Sequence, residues 1–204
     1  MLDYLQAFFW SLTYVFLIIY AVKFKQHGIP LLAILLNFAW ETVALTYSIR
    51  AMQISGPFII HIAWFSLDFI IVALYFHEKK SSKKQKLMFL LGYAVSTAFL
   101  VFLFKYDYML LSCFCIDLIM AIAFLAFIFY QRVYKHLISY SISILKLLGD
   151  LFAWQHYKNA EFINIIGILV LVCNIVYLIV LIYKKTDDAF LKDKHKIIFH
   201  RRRQ

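Results

Sequence analysis

The chain has 204 residues, of which 64% are apolar and 16% charged, with a mean hydropathy of +0.80. Soluble domains average about 45–50% apolar and about 25% charged residues, so a soluble globular domain, a disordered chain and a small disulfide scaffold are all excluded. The net charge of +10 does not mark a nucleic-acid binder, because the basic residues lie between and after long apolar blocks.

A helix needs about 20 residues to cross a bilayer. Seven apolar blocks of that order follow one another, at about 4–22, 30–52, 57–77, 87–104, 108–130, 137–155 and 160–183. With 5 Gly, 2 Pro and runs that are long rather than alternating, they read as helices and not as barrel strands. The first block lacks a basic segment ahead of it and a small-residue cleavage pattern, so it is taken as a permanent span. Gly28-Ile29-Pro30 and Ser55-Gly56-Pro57 mark two turns, each placing Pro in the first turn of the next helix. The expected architecture is an all-α integral membrane protein, a seven-transmembrane-helix bundle over residues 1–183 with a basic cytoplasmic tail over 184–204. No internal repeat interrupts it. Cys113, Cys115 and Cys173 fall inside apolar runs and read as packing residues.

Charge placement orients the bundle. The loops after blocks one, three and five, together with the tail, carry 17 of the 21 Lys and Arg. The remaining loops carry three (Arg50, Lys105, Lys158), and Lys146 lies within a block. By the positive-inside rule the N-terminus is outside and the C-terminus cytoplasmic. The expected setting is an integral, multi-pass protein of a bacterial cell membrane or endoplasmic reticulum, monomeric by default.

Ionisable groups at membrane depth need partners or a task. Glu41 and Asp68 each lie about eleven residues into their blocks, at similar expected depth in antiparallel neighbours. Asn37 shares a helix face with Glu41, and Trp64 shares one with Asp68, each pair at i,i+4. Asn174 lies midway along the last block. Trp10, Tyr14, Trp40, Tyr47 and Tyr177 are further candidates for lining an interior. Lys146 and Asp150, also at i,i+4, read as a compensating ion pair. Asp117 has no visible partner, and His61 is expected at the interface. No cluster has metal-ligand spacing, and neither a phosphate loop nor a Ser-His-Asp arrangement is visible. A buried acid that keeps its proton suits acid-initiated chemistry. The same residues also fit helix-packing hydrogen bonds, a proton-coupled transporter or a non-catalytic membrane partner.

W-S-L-T-Y (Trp10 to Tyr14), then His27-Gly28-Ile29, then A-I-L-L-N-F-A-W-E (Ala33 to Glu41) resemble the start of the membrane-integrated terpene cyclases, the seven-helix enzymes of fungal meroterpenoid and indole-diterpene pathways. The resemblance implies a metal-independent, cofactor-free cyclase acting on a lipophilic prenylated small molecule, possible in epoxidised or plain form. In such an enzyme Glu41 protonates the prenyl chain, rings close through carbocations, and a base removes the final proton. Asn37, Trp10, Tyr14, Trp40, Trp64 and Tyr177 become substrate-binding candidates. Family members place an Asp in a D-x-x-Y-like element of the last span; here it reads Asn174-Ile175-Val176-Tyr177. Asp68 is then the candidate for a second carboxyl, and Glu41, Asp68 and Asn174 form the expected catalytic set.

Overall fold

The structure, a computed structural model, describes residues 2–24, 28–50, 56–77, 82–130 and 139–201, with the side chains of 56–57 and 186–201 outside that description. The basic-loop residues Lys25, Lys79, Lys80, Arg132 and Lys135, together with His27, Ser55, Arg202 and Arg203, lie outside the described residues. Seven helices account for nearly all the rest: α1 (Leu2–Phe24), α2 (Leu31–Arg50), α3 (Gly56–His77), α4 (Lys83–Lys105), α5 (Met109–Tyr130), α6 (Tyr140–Tyr157) and α7 (Glu161–Arg201). Among the described residues there is no strand.

Local chemistry sets the helix ends. Gly28 takes φ 61°, a left-handed turn conformation without steric cost for glycine. Pro30 follows, and its carbonyl accepts from Ala33 and Ile34 to open α2. Ser82 caps α4 in a capping box with Gln85, which starts this helix earlier than its apolar block. Between α4 and α5 the chain reverses in three residues. Asp107 adopts φ 62°, and the amides of Tyr106 and Tyr108 fold back onto Leu103. Asp tolerates that left-handed conformation better than most residues. After Gly167 no Gly or Pro interrupts α7, and its helical backbone continues through the basic segment.

Six helices are long and apolar enough to cross a membrane: α1, α2, α3, α4, α5 and the Glu161–Lys185 part of α7. The protein is therefore an integral, multi-pass membrane protein. With 18 residues that include Lys146, Asp150 and His156, α6 is not among the six. Large apolar side chains point outward, such as Val95 (70% exposed) and Phe162 (75%), as lipid solvation allows and water does not.

Packing closes six helices into a ring, α1–α6–α7–α5–α2–α3 and back to α1, while α4 packs outside against α2 and α5. Small residues bring helices close. Gly149 of α6 faces the Trp10 ring of α1, and Gly167 of α7 faces Trp154 of α6. Trp154 is anchored by donating Nε1–H to Asn164 Oδ1 at 2.8 Å. Beside its buried apolar core, which includes Val43, Phe89, Phe124, Ile128 and Leu181, the bundle has an interior space.

Candidate active site

The ring encloses a cavity of about 650 Å³. Its mouth lies at the end of the bundle formed by the N-termini of α1, α3 and α5 and the C-terminus of α6, with Asp3, Tyr4, Asp107 and Tyr157 in its wall. Its floor carries Tyr14, Asn37, Glu41, Asp117 and Met120. From Asp3 to Tyr14 along α1, and from Met109 to Met120 along α5, eleven residues at 1.5 Å each give a depth of ~16 Å.

Glu41 is 2% exposed and lies in the cavity wall. Its Oε2 is 3.1 Å from His61 Nδ1, a hydrogen bond between α2 and α3. Aromatic rings surround this pair. Trp40 is tilted against His61 at 5.5 Å, and Trp64 meets the imidazole edge-on at 6.2 Å. Trp64 is held by donating Nε1–H to Ser11 Oγ at 3.0 Å. Tyr14 packs between Trp64 (6.5 Å) and Trp10 (6.0 Å). The Trp40 indole N–H is buried and has no acceptor among the described residues. The Glu41 carboxyl thus stands beside an imidazole in a part of the wall built of rings whose faces attract positive charge.

One turn toward the Pro30 end of α2, a second polar cluster lies behind the cavity. Asn37 Nδ2 donates to Asp68 Oδ2 at 2.7 Å and also to Tyr14 Oη, and Tyr14 Oη–H reaches Asp68 Oδ2 at 3.5 Å. Asp68, 3% exposed, borders a smaller adjoining void of about 40 Å³ and not the main cavity. A third cluster joins α5, α6 and α7. Lys146 Nζ donates to Asp150 Oδ2 at 2.6 Å, Asn174 Oδ1 at 3.3 Å and Asp117 Oδ1 at 3.5 Å, and Asn174 Nδ2 donates to Asp150 Oδ2 at 2.6 Å.

The structure therefore brings Glu41, Asn37, Trp10, Tyr14, Trp40 and Trp64 into one cavity wall. Asp68 stands one layer behind. Asn174 sits in the lysine cluster. Tyr177 packs in the core against Phe124 at 5.7 Å, its hydroxyl without a partner among the described residues. Neither of these α7 residues lines the cavity. Tyr47, on α2, donates instead to the Val101 carbonyl of α4 at 3.3 Å.

Two residues have partners that the sequence did not reveal. His61 is 7% exposed and paired with Glu41 inside the bundle. Asp117 is not partnerless, since Lys146 reaches it. Spacing carried a usable signal for the first, because His61, Trp64 and Asp68 at i, i+3 and i+7 share one face of α3.

The fold is thus an integral membrane helix bundle whose cavity wall carries a buried carboxyl and aromatic rings. The family model of the Pyr4-like transmembrane terpene cyclases matches residues 1–115, more than half of the chain, and the chain belongs to that family. No curated protein and no solved structure matches it. The matched stretch contains Glu41, His61 and all the tryptophans around them, and ends within α5 before Asp117.

Proposed function

We propose that this chain is a proton-initiated terpene cyclase with Glu41 as the general acid, and that α6 completes seven crossings with the N-terminus outside and the C-terminus cytoplasmic. One observation carries the proposal: Glu41 is almost fully buried yet opens into a 650 Å³ chamber lined by Trp10, Trp40 and Trp64. An acid placed there meets a prenyl chain without competing water, which strengthens every charge–dipole interaction at the reacting atoms.

The carboxylic acid of Glu41 gives its proton to a terminal epoxide oxygen or alkene carbon of the bound chain. Adjacent double bonds attack in turn, forming carbon–carbon bonds and passing the positive charge along the chain, while the ring faces of the wall stabilise it. His61 fixes the Glu41 carboxyl and relays the returning proton to it. Loss of a proton from carbon ends the sequence, so substrate and product have equal mass. Asp68, through Asn37 and Tyr14, positions the floor of the chamber, and Asn174 positions Lys146. A proton-coupled transporter would need a continuous wet path. Toward the Pro30 end the adjoining space holds only about 40 Å³ and is lined mainly by apolar side chains, which counts against such a path.

The test is incubation of membranes holding the protein with a panel of epoxidised and plain prenylated aromatics, analysed for isomers of unchanged mass. Wild-type protein converts at least one member of the panel. Glu41→Gln inserts and melts like wild type but gives no isomer; conversion retained in that variant removes Glu41 from the role of acid.

A further inference from the structure

The cavity holds a second carboxyl that the acid does not explain. Asp117 of α5 lies in its wall, where Glu41 also stands, but its surroundings differ. Glu41 faces an imidazole and aromatic rings, whereas Asp117 faces the ammonium of Lys146 at 3.5 Å. Of the four carboxyl groups in the wall, Asp3 and Asp107 stand at the mouth and Glu41 and Asp117 at the floor; two inner carboxyl groups with such unlike partners form the pattern that separates a proton donor from a proton acceptor.

The lysine cluster shows where its charge goes. Lys146 sits closer to Asp150, at 2.6 Å, than to Asp117, and Lys146 itself is not part of the cavity wall. One ammonium thus serves two carboxylates, and the one presented to the chamber is the more distant. Asn174 fits this arrangement as an amide. Its Nδ2–H donates to Asp150 while its Oδ1 accepts from Lys146, two roles that a carboxylate at the same place cannot combine. Trp10 bridges the two compartments, its ring lying 5.1 Å from Lys146 Nζ and also in the chamber wall.

We infer that Asp117 is the carboxylate that faces the cationic intermediate and takes its last proton, so that the chamber binds a prenyl chain carrying a positive charge better than the same chain without one. An Asp117 oxygen forms the new O–H bond, the C–H electron pair beside the cationic carbon becomes the final C=C bond, and the proton returns from Asp117 to the Glu41 carboxylate, leaving the enzyme unchanged. For its chemistry this inference rests on the cyclase proposed above, but its test does not require turnover.

The experiment uses the full chain in lipid nanodiscs and two probes of one shape, N,N-dimethylfarnesylamine, which is an ammonium at neutral pH, and the hydrocarbon in which a C–H replaces its nitrogen. Binding is read by quenching of tryptophan emission. Wild-type protein prefers the ammonium by ~10-fold or more, as a nearby unlike charge in a partly shielded site provides. Asp117→Asn reduces the preference to about twofold or less, Asp117→Glu keeps it, and Asp3→Asn leaves it intact. Equal binding of the two probes by wild type overturns the inference, with no variant required. A preference that survives Asp117→Asn, or one that Asp3→Asn erases, overturns it too. An intact preference in a protein that converts no member of the prenyl panel would reject the cyclase and leave Asp117 as a cation site, whereas conversion without preference would reject Asp117 alone.

Discussion

Gly149→Ala offers a quantitative probe of how the chamber wall is held. A Cβ built at Gly149 falls 2.8 Å from Trp10 Cδ1, 3.0 Å from Nε1 and 3.3 Å from Cγ, so three atoms of a rigid ring must move together. That ring is pinned on its other sides by Tyr14 and by the Lys146 ammonium. Overpacking of this kind costs ~1–3 kcal/mol. Replacing glycine inside a helix returns at most ~1 kcal/mol. The net loss is about 1 kcal/mol, which for a chain of this size lowers the melting temperature by ~2–4 °C. Gly92→Ala is the matched control. There the nearest atom, Leu35 Cδ1, lies even closer at 2.5 Å, but the rest of that side chain begins at 3.7 Å, and a terminal methyl swings aside by rotation. Melting of the purified detergent-solubilised variants, followed by tryptophan emission, should place Gly149→Ala below wild type and Gly92→Ala at or above it. The reverse order would refute the assignment of Trp10 as a fixed element of the wall.

Two further outcomes follow from the polar clusters. Asn37→Leu strips Asp68 and Tyr14 of their shared donor and should cost ~1–3 kcal/mol of stability by denaturant titration, since buried Asp68 keeps only the long Tyr14 contact; a loss under half of that would mean that Tyr14 or water replaces the amide. Lys146→Met leaves Asp150 and Asp117 uncompensated and should cost ~3–5 kcal/mol, while adding Asp150→Leu should recover most of it. Equal stability of the single and double variants would show that the ion pair does not act as a unit.

The helices were legible in the sequence, because the bilayer solvent demands long, uniformly apolar helices: each of the seven blocks corresponds to a helix, and six of these are long and apolar enough to span. Pairing between helices was not legible, because it depends on register across a turn. Counting into the blocks puts Glu41 level with Asp68. In the structure Glu41 meets His61, and Asp68 meets Asn37 one turn further along α2, so the two carboxyl groups are not partners. Asp117 and Lys146 are 29 residues apart in the chain and are brought together by the packing of both α5 and α6 on α7, a relation with no local pattern. Asn174 stood out as a departure from the family element. What the sequence could not supply was its neighbour, the Lys146–Asp150 pair whose geometry suits an amide.

The position of the family match along the chain has an evolutionary consequence. Glu41, His61 and the tryptophan cage lie within residues 1–115, while Asp117 and the lysine cluster lie beyond it. Ignition and quenching of the reaction would then reside on separable stretches of polypeptide. Substitutions in α5 and α6 could move the site where charge is extinguished, and with it the skeleton released, while the spark stays as it is.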